Sequence, residues 1–106
     1  MEHEIINEKQ NKIKTLLTSD DFILSGGVYK SPEINCLGES GVVEITTSGI
    51  VTIEKSISGK VFTKIESFSL DLSIDGSGVF NLTGMVLGQL FRICSTLEVT
   101  SAIILA

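Results

Sequence analysis

Tryptophan is absent from this chain, and histidine, proline and tyrosine occur once each, as His3, Pro32 and Tyr29. A single histidine ahead of the region expected to fold supplies neither a Ser-His-Asp arrangement nor a histidine metal cluster. Cysteine is nearly as scarce. Cys36 and Cys94 lie far apart, without the close spacing of a zinc or redox motif, and are read as core or near-surface fillers kept reduced. Positive charge is short as well: 8 Lys and Arg are scattered against 13 Asp and Glu, for a formal net charge of -5. A phosphate backbone or an anionic membrane needs a concentrated basic surface, so neither a nucleic acid nor a membrane is expected as a partner. No apolar run reaches the roughly 18 residues that would span a bilayer, and no early segment has the basic, apolar and small-residue order of a leader. The expected compartment is the cytoplasm.

Other chemistry is missing too. Gly76-Ser77-Gly78 is no phosphate loop, because no Lys-Ser/Thr pair follows and the flanking pattern is strand to strand. Asp71 and Asp75 share one strand-to-turn region at a spacing that puts them on one face, where acidic residues at solvated strand ends are common. Asn81-Leu82-Thr83 has the form of a glycosylation acceptor but reads as strand. No catalytic, cofactor-binding or metal-binding residue is therefore expected. An enzyme is not the expected function.

What is present is short apolar runs separated by Gly, Ser and Asp. Val43 and Ile45, Val51 and Ile53, Leu70, Leu72 and Ile74, Phe80 and Leu82, and Leu97 and Val99 alternate with polar residues at the period of a strand. Ser48-Gly49, Ser58-Gly59 and Asp75-Gly76 separate them, as glycine allows where a corner needs positive φ. One segment differs. Residues 2–17 carry Ile6, Ile13, Leu16 and Leu17 at helical spacing with Glu8 and Lys12 placed as an i,i+4 pair, which predicts a helix. The chain is long enough for a single core, so its expected organisation is a helical arm or cap over 1–21 and a β domain over 22–106.

Self-similarity gives the β domain a more definite form. Ser40-Gly41, Ser58-Gly59, Ser77-Gly78 and Ser95-Thr96 recur every 18 or 19 residues; Ile34, Ile53, Leu72 and Phe91 follow the same spacing, as do Val43, Phe62, Phe80 and Val99. Corner and core columns repeating together predict an all-β fold, a short β-solenoid of about four coils with an N-terminal helix, in which Ser40 stacks over Ser58 and Ser77.

The runs Ser25-Gly26-Gly27-Val28-Tyr29-Lys30, Glu33-Ile34-Asn35-Cys36-Leu37-Gly38-Glu39-Ser40-Gly41-Val42-Val43, Ser56-Ile57-Ser58-Gly59-Lys60-Val61 and Ser73-Ile74-Asp75-Gly76-Ser77-Gly78-Val79 resemble the bactofilins, bacterial polymer-forming cytoskeletal proteins. The resemblance covers residues 25–106. It implies a right-handed β-helix that polymerises end to end without nucleotide and without an active site. The chain departs from the family at Glu44, Thr63 and Asn81, where a glycine is expected after each corner, and its 84–97 stretch is poor in glycine corners.

An open solenoid end exposes unpaired backbone groups and a slice of core. Ala102-Ile103-Ile104-Leu105-Ala106 is an apolar half coil without a charged gatekeeper, so the expected assembly interface comprises Ile103, Ile104 and Leu105 with Phe91 and Val99. The alternative is that 103–105 form an ordinary central strand. The expected function is a self-assembling scaffold whose partner is a second copy of itself, with other cytoplasmic proteins reached through the N-terminal helix. A second reading takes 85–97 as a helix, with Leu87, Leu90, Phe91, Cys94 and Leu97 on one face. That would give a small α/β regulatory domain similar to the STAS domains of anti-anti-sigma factors.

Overall fold

Val43, Ile45 and Thr47 are buried while Val42, Glu44 and Thr46 between them are exposed, so the alternation read from the sequence becomes a strand with one face inward. The structure, a computed structural model, describes residues 14–36, 40–65, 69–83, 86 and 88–106. In chain order its elements are β1 (Lys14–Thr18), a 3-10 turn (Ser19–Asp21), β2 (Ile23–Ser25), β3 (Val28–Lys30), β4 (Ile34–Asn35), β5 (Ser40–Thr47), β6 (Ile50–Ser56), β7 (Thr63–Lys64), β8 (Leu70–Asp71), β9 (Ser77–Thr83), β10 (Leu90–Ser95) and β11 (Val99–Leu105). The fold is all-β.

The strands form a four-stranded sheet in the order β1-β11-β5-β9 and a second sheet in the order β2-β3-β10-β6-β7, with β4 added to β10 and β8 to β6. One hydrophobic core joins the two, with Val43, Ile45 and Ile104 from the first meeting Ile53, Phe91 and Ile93 from the second. Every one of these residues except Phe91 and Val43 is an isoleucine, whose branched Cβ suits a pleated, packed surface. The architecture is a β-sandwich.

Among the described residues four chain segments cross between the sheets at the same end: 19–22 carries β1 into β2, and three more lie side by side. β5 passes into β6 through 48–49, β8 into β9 through 72–76, and β10 into β11 through 96–98. The paired strands hold the same order in both sheets, β11-β5-β9 above β10-β6-β8, so the crossings stack as three arches. Backbone hydrogen bonds run between them: Thr47 N–H donates to the Gly76 carbonyl at 3.1 Å, Leu72 N–H to Gly49 at 3.0 Å and Thr96 N–H to Ile50 at 3.1 Å. Thr47 and Ser95 lie buried at the centre. Each hydroxyl has one proton to donate. The shortest contacts assign that of Thr47 to the Glu98 carbonyl at 2.8 Å and that of Ser95 to the Leu97 carbonyl at 2.7 Å. In return Thr47 Oγ1 accepts the Gly49 N–H and Ser95 Oγ accepts the Leu97 N–H. Gly49 is required here by space: a Cβ would lie 2.7 Å from the Leu97 nitrogen and 2.8 Å from the Ser95 hydroxyl.

Leaving its arch, β11 carries a bulge. Val99 stands opposite Thr47 and Ser101 opposite Thr46, so Thr100 is one residue too many for the partner strand. The inward set therefore changes from Val99 to Ala102, Ile104 and Ala106.

Four expectations change. The solenoid is replaced by antiparallel ladders throughout; Ser40 faces Thr83 and Ser77 faces Thr46 rather than each other. A period of two is the same for parallel and antiparallel strands, so recurrence at 18 or 19 residues measures strand plus connection and not direction. Ser40-Gly41 and Ser77-Gly78 are not corners but strand residues. A Cβ on Gly41 would meet the Leu105 carbonyl at 2.8 Å, and one on Gly78 would meet Leu72 Cδ2 at 2.7 Å. The expected N-terminal helix gives way, over Lys14–Thr18, to a strand paired with β11, in which Leu17 is buried and Leu16 is 66% exposed. Leu16 and Leu17 are compatible with a helical face, but pairing with β11 separates them to opposite faces of a sheet. The rest of that expectation, including Glu8 and Lys12, lies outside the described residues, and β1 belongs to the sandwich although it precedes residue 22. The helix over 85–97 on which the second, STAS-like reading depends is, over Leu90–Ser95, the strand β10. Its Phe91, Ile93, Cys94 and Ser95 are buried from both faces, which hides the alternation.

Removing the central hydroxyl tests the arch joint. Thr47→Val strands the Gly49 N–H and the Glu98 carbonyl, and the urea midpoint is expected to report a loss of about 1–3 kcal/mol. Ser48→Ala next to it, at an exposed position, is expected to stay within about 0.5 kcal/mol.

Candidate functional site

The residues expected to form an interface are divided by the fold. Phe91, Val99 and Ile104 are fully buried core residues. A charge at Ile104 would therefore break the core and not probe a surface. Ile103 and Leu105 point the other way. β11 is no open end, since β1 and β5 pair with it on its two edges, and the terminal run occupies an interior strand of the first sheet.

Register places Ile103 and Leu105 in two rows on the sheet's outer face. Leu16, Ile103, Glu44 and Val79 are neighbours across four strands, and Lys14, Leu105, Val42 and Asn81 form the next row. Leu16 and Val79 are more than 60% exposed, and Val42 and Leu105 are exposed to a lesser degree. Large aliphatic side chains thus gather on one flat face with one acid, Glu44, and one base, Lys14, among them. A contiguous patch of this kind is the surface signature of a contact with another macromolecule. The sequence did not reveal Leu16, Val42 and Val79 as members, because neighbours across a sheet are set by pairing and not by spacing.

The outer face of the second sheet differs in character. Arg92 Nε donates to Glu54 Oε1 at 2.7 Å, and its guanidinium lies 3.9 Å over the Phe62 ring. Beside them is Cys94, opposite Lys30 on one side and Thr52 on the other. Burial, followed by the Glu54 carboxylate, pushes its thiol up to about 11. A protonated, enclosed thiol is a poor nucleophile, which fits the expected role of filler. Cys36 is likewise buried and not in a disulfide.

Asp71, the carboxylate considered with Asp75, accepts the Ser73 N–H at 2.9 Å. The Ser73 backbone and hydroxyl hold it below its usual value, so it remains charged and shapes the arch turn. Among the described residues no three His, Cys, Asp or Glu side chains gather as a metal site, and no helix is long and apolar enough to cross a membrane.

Concave surface lies at the end opposite the arches. A groove of about 390 Å³ is lined by Lys55, Ser56, Ile57, Ser58, Val61, Thr63 and Gln89. An adjoining one of about 210 Å³ shares Ile57 and Gln89 with it and adds Val86 and Gly88. Ser58 Oγ accepts the Lys60 N–H, Ser56 Oγ accepts the Gly59 N–H, and Gln89 Oε1 accepts the Val86 N–H. The polar groups are therefore used in holding the loops, and the apolar ones face outward. A separate cleft of about 250 Å³ opens between β1 and the 32–35 segment, against Leu17, Ile34 and Ala106.

Comparison of the chain with protein-family models and with curated proteins finds no match. The likeness to bactofilins rests on the quoted residues alone.

The state of Cys94 can be checked directly. At neutral pH the native protein is expected to resist iodoacetamide at both cysteines and to react fully after unfolding. Because the folded thiol titrates above its ordinary 9.0, its contribution to stability is complete below about pH 9 and is lost as pH rises toward 11. Denaturation midpoints of the native chain and Cys94→Ala should converge or cross over that interval, and parallel curves would refute the assignment.

Proposed function

We propose that this protein is a non-catalytic, self-associating structural module whose partner is a second copy of the same chain, met through the outer face of the four-stranded sheet. The observation that carries this reading is the row of Leu16, Ile103 and Val79, exposed at both ends and half-buried at Ile103 among the described residues, with exposed Leu105 and Val42 beside it. Burying such side chains is worth about 25 cal/mol per Å² of apolar surface.

The two charges on the face favour a copy over an unrelated partner. Lys14 and Glu44 stand two strands and two residues apart. A two-fold axis lying in the plane of the contact sets Glu44 of each copy over Lys14 of the other, so one patch is complementary to itself. Stacked sheets meet about 10 Å apart, within reach of a lysine and a glutamate side chain. Glu44 and Lys14 also oppose the unlimited stacking that an all-apolar sheet face would permit.

Within this reading the compartment is cytoplasmic and the role is scaffolding. Leu16→Glu and Val79→Glu are each expected to weaken self-association at least tenfold in sedimentation experiments, with the urea midpoint little changed because both side chains are exposed. Ile104→Glu is expected to unfold the domain. Undiminished association in both exposed-face variants would rule out this face.

A further inference from the structure

The charged side chains are sorted along the strand direction. Asp20, Asp21, Asp71, Asp75 and Glu98 are exposed at the arch end, where Lys30, half-buried and one step in from Tyr29, is the nearby base among the described residues. Lys14, Lys55 and Lys60 are exposed toward the opposite end, where Glu33 is the exposed acid among the described residues. Between these groups Arg92 pairs with Glu54, Lys64 stands opposite Glu54, and Glu44 lies mid-strand on the other sheet, so the middle carries both signs.

Shape follows the same division. The arches present aliphatic tips: Ile74 is 93% exposed, and Leu97 and Ile50 are also exposed. The basic end presents the paired grooves, with Ile57 87% exposed and Val61 and Val86 open beside it. Among the described residues one end carries exposed apolar tips and acids. The other is concave, apolar and basic.

We infer that the arch end of one copy docks in the grooved end of the next, a head-to-tail joint separate from the face contact but resting on the same reading that the partner is this chain. Contact between two like ends would oppose acid to acid or base to base, which complementary ends avoid. Such a contact is heterologous, so it propagates into an open chain or closes as a ring. Its attraction acts across a screening length of about 10 Å at 0.1 M salt and weakens as salt rises.

The test uses the full chain carrying Leu16→Glu and Val79→Glu, so that only the end joint is read. Sedimentation velocity at low salt is expected to show oligomers that grow with concentration and that lose at least tenfold in affinity near about 0.5 M salt. Adding Ile74→Ser with Leu97→Ser removes the tips, and adding Ile57→Glu instead sets a carboxylate against the acidic arches. Each is expected to leave a monomer. An equimolar mixture of the two is expected to form dimers and nothing larger, because one intact tip and one intact groove remain. A mixture that stays monomeric, association that strengthens with salt, or end variants that assemble like their parent overturns the joint. A monomeric parent also overturns it; if the unsubstituted chain still associates under the same conditions, the face contact stands and only the end joint falls.

Discussion

Two buried hydroxyls, Thr47 and Ser95, hold the place where the chain repeatedly changes sheets. A corner of a sandwich forces backbone groups out of the ladders while leaving them too enclosed for water, and unpaired groups there cost about 1–3 kcal/mol each. Thr47 satisfies a Glu98 carbonyl and a Gly49 N–H, and Ser95 satisfies both the N–H and the carbonyl of Leu97. Because the Thr47–Glu98 bond links one arch to another, it aligns the two arches that the other bonds close. The common strand order of the two sheets, and hence the rows on the outer face, follows from that alignment.

Crossing at one end also separates chemistry along the molecule. At the mouth of the β8–β9 arch the short acidic side chain of Asp71 serves the backbone by accepting the Ser73 N–H. The opposite loops use Ser56, Ser58 and a left-handed Gly59, with lysines around them. Turn chemistry and surface charge are therefore coupled. Although the net charge is -5, the described residues place lysines together at one end, which a total taken from composition conceals.

Much of the core was legible in the sequence, while its direction was not. Val43 and Ile45, Val51 and Ile53, and Phe80 and Leu82 were read as alternating strand residues and line the core. The columns found at 18 or 19 spacing even contain true neighbours, for Ile34 faces Phe91 and Val43 faces Phe80. They meet across antiparallel ladders, which a parallel coil does not allow. Strand direction depends on which end of a run its partner approaches, and no local pattern records that. Residues 103–105 show the same limit at smaller scale: three consecutive aliphatic side chains carry no sign of which ones face inward, and the alternative of an ordinary central strand describes their pairing.

The sign is supplied instead by Thr100. Without the bulge, the alternation begun at Val99 would continue and turn Ser101, Ile103 and Leu105 inward, leaving Ala102 and Ile104 outside. Ile103 and Ile104 are the same residue, so much of the core would survive such an exchange while the outward face changed its pattern of side chains. One backbone residue thus sets the phase of the strand. Loss or gain of that residue could re-partition interior and contact surface in a single event, with no side chain substituted.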